Sequence, residues 1–495
     1  MVERALARRG PFANSYPAAV GLVALALVPF LMLTAAALPL SSMISRSLGI
    51  SPGALDLTTA MSDAAYAFGT VLAVQFAMHR PARRMLLLYV TGFVVASALA
   101  AWAPTASVFI GAFVVQGLCT SLMLIAAVPP LVTGWPPAKM PITGATMNLC
   151  IFGAVAIGPT IGGLQAAAGG WRPLFWVVTG LGVLALVMSL LTFEDVPPAD
   201  REAPRDIAAI ALAGVGCAAG FYGAGRLQSG RSADLVAVVP LVVGVALVVV
   251  LVTHQYRVRE PLMPVEQLAT TVPVTGILIA LFASASAFGL MVLLLEALQQ
   301  HHSPGRVALL FLPEFGAAVA TAALFAALFR TRFTPVLALG GLMALAAGAA
   351  LATGVPAHGN GMMAAAAAVL IGLGVGASVS PSLFMAGFSL RSAQLQRVFA
   401  MLELLRGVTA FLVAPILVFF VSLVGTNEAA GLRDAIWVCL GLAVAGFVLA
   451  AAVFVAGRGR LQNPDLERWE EGEPAWESPP LWGRLRASRA RQAVR

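Results

Sequence analysis

Leu235-Val-Ala-Val-Val-Pro-Leu-Val-Val-Gly-Val-Ala-Leu-Val-Val-Val-Leu-Val252 is an unbroken apolar run of 18 residues. As an α-helix it is about 27 Å long, close to the roughly 30 Å hydrocarbon core of a bilayer. A membrane β-strand would read instead as about ten residues of alternating polarity, so the run is helical. Comparable stretches recur on both sides of it, from about residue 17 to residue 456. Only 11% of the 495 residues are charged and 60% are hydrophobic, with a mean hydropathy of +0.91. No water-soluble fold hides that much apolar surface, so the membrane is the solvent and the class is all-α integral membrane protein.

Apolar runs between polar or Gly/Pro-rich breaks predict helices near 17–43, 57–78, 85–103, 107–129, 142–167 and 173–193, then two near 206–225 and 235–254. Six more follow near 271–297, 307–329, 335–354, 362–387, 397–423 and 434–456. The first apolar run exceeds a signal-peptide core and is expected to be a retained helix. Basic residues check the count, because short loops rich in arginine and lysine stay on the cytoplasmic side. With the N-terminus inside, the inner segments before the tail hold 15 basic residues and the outer segments 6. The predicted organisation is a cytoplasmic N-terminus (1–16), six helices (17–193), a linker with two inserted helices (194–270), six helices (271–456) and a cytoplasmic tail (457–495). Both termini are expected in the cytoplasm, with the chain crossing the inner membrane many times.

The net charge of +8 is largely this topological bias, so no nucleic-acid partner is implied. Cys119, Cys150, Cys217 and Cys439 sit in apolar runs without metal-ligand spacing and read as packing residues. No metal, no cofactor and no enzyme active site is expected, since the helices carry no serine-histidine pair, paired aspartates or ligand cluster. In the tail, Glu470, Glu471, Glu473 and Glu477 alternate with prolines before the basic, partly apolar stretch Leu481-Trp-Gly-Arg-Leu-Arg486. The tail either lies on anionic lipid headgroups or is a disordered, solvated segment that merely reinforces the topology.

Gly153-Ala-Val-Ala-Ile-Gly158-Pro159-Thr-Ile-Gly162-Gly163 packs four glycines and a proline into eleven residues of the fifth helix. Gly158 and Gly162 share a face that admits a neighbouring backbone, and Pro159 removes one donor and permits a bend. The string resembles the antiporter motif of major facilitator drug exporters. Gly170-Trp171-Arg172-Pro-Leu-Phe175 resembles the turn that follows it in the fourteen-helix drug:proton antiporter branch. Ala37-Leu38-Pro39, Gln116-Gly117 and Arg259-Glu260-Pro261-Leu262 are similar to that branch too, as are Leu298-Gln299 and Leu312-Pro313 more weakly. The resemblance implies a major facilitator fold of about fourteen transmembrane helices (6 + 2 + 6). Two pseudo-symmetric six-helix bundles would bind a small-molecule substrate near the midplane between them. It also implies proton antiport and efflux, and leaves room for a periplasmic adaptor.

The departures are specific. Where the family has G-x-x-x-D-R-x-G-R-R, residues from Gln75 through His79-Arg80-Pro81-Ala82-Arg83-Arg84 keep Arg80, Arg83 and Arg84 but lose the aspartate and both glycines. The first helix has Phe30 in place of an acidic residue, and the fourth has Phe113 in place of an arginine. These changes bear on the family's proton relay and not on its fold.

An ionised group at mid-bilayer costs about 2.5–3.5 kcal/mol, so each one needs a partner, a cavity or a proton. Asp63 and Glu314, at similar depths in opposite halves, read either as proton carriers facing a central cavity or as solvated vestibule groups. Glu403 and Arg406, three apart on one helix, read as a local ion pair or a charge switch. Glu296 beside His301 and His302 reads as a pH or metal sensor, or as ordinary solvated polar residues. Gln116 and Asn148 are candidates to hydrogen-bond substrate or a neighbouring helix. Arg80, Arg83 and Arg84 are either a conformational latch or simply a topological signal. Three functions stay open: a proton-coupled exporter of small amphipathic or lipophilic compounds, a facilitator or specific metabolite carrier, and a non-transporting membrane sensor.

Overall fold

A computed structural model describes residues 11–193, 198, 205–230, 233–424 and 427–481. Arg4, Arg8, Arg9, Arg201, Arg231 and the basic stretch after Leu481 lie outside the described residues. Among the described residues, fourteen helices are long and apolar enough to span a membrane, matching the number of apolar runs: α1 (Tyr16–Leu48), α2 (Pro52–His79), α3 (Ala82–Trp102), α4 (Ala106–Thr133), α5 (Pro137–Ala167), α6 (Arg172–Thr192), α7 (Ile207–Ser229), α8 (Leu235–Arg257), α9 (Thr271–Gln299), α10 (Pro304–Leu328), α11 (Thr334–His358), α12 (Gly361–Phe388), α13 (Ser392–Val424) and α14 (Glu428–Ala456).

Several helices begin or end beyond the apolar runs because capping residues, not hydropathy, set their ends. Gly49, at φ +64°, closes α1, and the Ser51 hydroxyl accepts from the Ala54 N–H with Pro52 at the first helical position of α2. The helical segment therefore starts five residues before 57. Likewise the Asn427 side chain accepts from the Ala430 N–H and starts α14 at Glu428. Within α5, a π-helical turn at Leu149–Gly153 separates Met140–Asn148 from Ala154–Ala167.

Helices α1 to α6 pack mainly on one another, with α1 against α5 and α6, α2 against α4, and α3 against α4 and α6. Helices α9 to α14 do the same through α11 on α12, α9 on α12 and α14, and α10 on α12. The two groups meet chiefly where α5 packs on α10 and α2 packs on α13. Helix α7 packs against both α2 and α13, and α8 lies on α7 with an exposed apolar face that includes Val236, Val239, Val242 and Val249. That unpaired face suits lipid contact.

Polar bonds hold the α7–α8 hairpin at one end. Asp206, the N-cap of α7, accepts from the Ala209 N–H at 2.9 Å and from Gln255 Nε2 at 2.7 Å, and its Oδ1 lies 3.2 Å from His254 Nε2. The Asp206 N–H donates to Gln75 Oε1 of α2. Burial pushes the Asp206 carboxyl up, but these hydrogen bonds outweigh it and hold it below the usual carboxylate range. Beyond α8, Arg397 of α13 donates to the carbonyls of Pro261 and Leu262, which gives the Arg259–Leu262 stretch a packing role.

Both described chain ends lie at the same face of the molecule, called here the termini face. The Phe12 N–H donates to the Leu191 carbonyl there, and the tail docks against the end of α12. The tail from Gly457 to Leu481 is not a solvated strand. A short helix α15 (Leu466–Glu470) inserts Trp469, 1% exposed, against Phe388 with ring centroids 4.5 Å apart. Its charges hide an apolar pattern of Leu466, Trp469, Ala475 and Trp476, all buried.

Candidate functional site

Tyr66 of α2 and Glu403 and Arg406 of α13 meet where the two helix groups touch. Arg406 Nη2 donates to Glu403 Oε2 at 2.6 Å, its Nε lies 3.1 Å from both carboxylate oxygens, and the Tyr66 hydroxyl donates to Oε2 at 3.3 Å. Both charged side chains are almost wholly buried, at 7% and 5% exposed, and Tyr66 is 1% exposed. The Arg406 guanidinium sits 5.7 Å from the Phe152 ring centroid, on the π-helical turn of α5. Helical spacing of three residues brings Glu403 and Arg406 together, and tertiary packing supplies the phenol.

Glu403 also lines a cavity of ≈ 10 Å³ among Leu124, Ile125, Val128, Met147, Ile151, Leu383 and Phe399, side chains from both helix groups. That is room for about one water, so no organic molecule fits the form described.

The other candidates are spread through the fold. Asp63, 7% exposed, lies one turn before Tyr66 and has no hydrogen-bond or ion-pair partner among the described residues. Glu314, 4% exposed, sits on α10 where α10 packs on Gly372 of α12, and its Oε2 is likewise unpartnered. Neither lines the cavity, and the structure does not bring them together. Asn148 joins the two helix groups: its Nδ2 donates to the Gly376 carbonyl at 3.1 Å and its Oδ1 accepts from Ser380 at 3.2 Å. Gln116 stays within the first group, donating to Ser97 at 2.8 Å.

Glu296 has Asp56 and Glu428 as charged neighbours at the face opposite the termini. His301 and His302 point elsewhere, with ring nitrogens 3.3 Å from the Pro356 carbonyl and 2.7 Å from the Gly359 carbonyl. Among the described residues no group of three or more His, Cys, Asp or Glu is placed to hold a metal. Arg83 donates to the Leu190 carbonyl and ties α3 to α6, while Arg80 and Arg84 are exposed.

The glycine string serves two neighbours. A side chain at Gly158 or Gly162 would strike the α1 backbone at Met32 and Ala36, whereas one at Gly163 would strike Pro304 and Ala308 of α10. Thr160 adds a hydrogen bond to the Ala308 carbonyl at 3.0 Å, Pro159 is buried in the same segment of α5, and Gly153 ends the π-helical turn. The following turn is equally built in: Trp171 Nε1 donates to Ser47, and Arg172 donates to the Ala103 carbonyl while covering the Trp171 ring.

Phe30 and Phe113, the two substituted positions in α1 and α4, lie against each other with ring centroids 6.2 Å apart. The contact continues through Phe109 and Phe175 to Trp171. At these two positions this chain has a connected aromatic cluster.

Among the described residues, fourteen membrane-length helices, twelve of them in two groups that meet at a buried ion pair and two in a separate hairpin, define a polytopic membrane protein built around an internal interface. The Major Facilitator Superfamily model matches residues 22–412, and the chain belongs to that family. The human organic anion transporter MFSD10 (TETRAN) has a similar fold, with a TM-score of 0.59 at 13% identity, covering 88% of this chain and 99% of that one. Among curated relatives, the lincomycin resistance protein LmrB of Bacillus subtilis is 30% identical over 205 residues, which is 41% of this chain. A multidrug resistance protein B homolog of Mycobacterium tuberculosis is 28% identical over 273 residues, 54% of this chain. The chain spans 42% and 50% of the lengths of those two relatives.

Tyr66 was not singled out from the sequence. A tyrosine buried mid-helix needs a partner for its hydroxyl, and that signal was present. The partner, 337 residues away, was not.

Proposed function

We propose that the protein is a secondary transporter that exports small amphipathic or lipophilic compounds by alternating access, in antiport with protons. The 17–193 and 271–456 bundles rock about the interface, the termini face is cytoplasmic, and the membrane is the inner membrane. The observation that carries this reading is the Tyr66–Glu403–Arg406 group, buried between the helix groups and forming part of the cavity wall. Opening the cavity from either face separates α2 from α13 and strips Glu403 of its phenol. Removing one partner of a buried ion pair costs about 3–5 kcal/mol, so an arriving proton or substrate must offset whatever contact is lost. The resistance-protein relatives support export, and the apolar wall supports an amphipathic cargo.

The aromatic cluster at Phe30 and Phe113 moves proton handling away from α1 and α4. Asp63 on α2 and Glu314 on α10, both buried and the latter with its Oε2 unpartnered among the described residues, are the proton carriers in this reading, with Glu403 and Arg406 as the switch. Purified protein in liposomes tests it. An imposed pH gradient is expected to drive substrate against its own gradient, with Asp63→Asn and Glu314→Gln each lowering that uphill flux at least tenfold and sparing downhill exchange. Flux indifferent to the pH gradient overturns the coupling.

A further inference from the structure

The aromatic side chains at the termini face form one connected stack across several segments. Phe325 of α10 and Phe329 just past its end, Phe384 and Phe388 of α12 and Phe399 of α13 lie with centroids 5.2 to 6.1 Å apart, and Trp469 of the tail closes the stack on Phe388. On the other side of the interface, Gly144 of α5 lies directly against the Phe325 and Phe329 rings. The stack therefore belongs to the C-terminal helices and bears on an N-terminal one.

The tail is held to the same side of that boundary. Trp469 Nε1 donates to the Leu390 carbonyl at 3.0 Å, the Ala475 N–H donates to the Phe388 carbonyl at 2.8 Å, and the Thr271 N–H donates to the Pro479 carbonyl at 2.9 Å. Ser478 Oγ adds bonds with Thr270 and with the Val272 N–H. Each of these partners precedes or lies in α9, or ends α12. Yet α15 also lies beside the Pro137–Lys139 turn that opens α5, across the interface. A segment bonded to one helix group and resting on the other spans the seam through which this face must open.

We propose that the tail from Gly457 to Leu481 is part of the gate at the termini face: docked, with Trp469 in the aromatic stack, it holds that face closed. The bonds to α9 and α12 move with the C-terminal helices, and the contact that breaks on opening is the one with the Pro137–Lys139 turn. The inference rests on the alternating-access reading, and it assigns to the tail a share of the equilibrium between the two access states. A stack of large rings closed over by indole resists opening because separation exposes apolar faces to water.

The test is a single reporter, Val128→Cys in the cavity wall, in protein whose four native cysteines, all buried, are changed to alanine. A membrane-impermeant maleimide is applied from either face of oriented vesicles. With the tail intact, substrate is expected to change labelling from both faces in opposite senses; if it does not, alternating access itself fails. Given that alternation, Trp469→Ala is expected to raise labelling from the termini face at least tenfold and lower it from the other. Unchanged labelling, in protein where trypsin now cuts quickly at Arg458 or Arg460, overturns the gate. Where Trp469→Ala does not fold, cysteines replacing Lys139 and Glu467 are joined by a reducible cross-linker in otherwise intact protein. Turnover should stop and return on reduction, and turnover undiminished by the cross-link overturns the proposal.

Discussion

At the termini face the two helix groups meet through large rings, Phe325 and Phe329 against Gly144, whereas at the opposite face α5 meets α10 through backbone, Gly163 against the Pro304 carbonyl and Ala308. The first contact is soft in one respect, because ring edges rotate, and strong in another, because so much apolar area is joined. The second is rigid: a carbonyl cannot turn aside without moving its helix. One end of the interface is thus suited to interlock and release, the other to a close fit that tolerates no added atoms.

Between these ends lies the Glu403–Arg406 pair, and the largest effect is expected there. Arg406→Ala leaves a buried carboxylate with only the Tyr66 hydroxyl, at a cost of about 3–5 kcal/mol. Thermal unfolding in detergent should show it, and adding Glu403→Gln should recover most of the loss while leaving transport abolished. If the single variant is as stable as the parent, the buried Glu403 carboxylate does not depend on Arg406.

Next in size, Gly163→Val is expected to cost about 1–3 kcal/mol by overpacking against backbone. Gly144→Ala, whose added methyl group meets only ring edges, should cost less than about 1 kcal/mol by the same measure. Stability measured side by side decides the contrast drawn above: equal losses would mean that the rings are as fixed as the carbonyl.

The spans were legible because hydrocarbon imposes a length and a polarity on each helix, and the shared face of Gly158 and Gly162 was legible because helical periodicity fixes it. Glu403 and Arg406 were readable as neighbours for the same reason. What sequence periodicity does not carry is contact between distant segments. Nothing local tells Tyr66 that Glu403 will meet it, or Phe30 that Phe113 stands opposite. The tail misled for a different reason. Its glutamates and prolines suggest solvation, and only the spacing of Leu466, Trp469 and Trp476 betrays a face that must be covered.

The smallest expected effect concerns the inserted hairpin, which is fastened at one end by Asp206 and otherwise packs through apolar contacts. Asp206→Ala removes the N-cap of α7 and the acceptor for Gln255, a loss of about 1 kcal/mol at neutral pH. Because hydrogen bonds hold this carboxyl below its ordinary value in the folded protein, its contribution is present above the unfolded value of about 3.9 and is lost as the pH falls through the lower folded value. The stability gap between parent and variant should therefore close only in acid, below about pH 4. A gap that persists undiminished at lower pH would show that the capping geometry, rather than the charge of Asp206, ties the hairpin to α2, and would place this end with the rigid contacts of the far face.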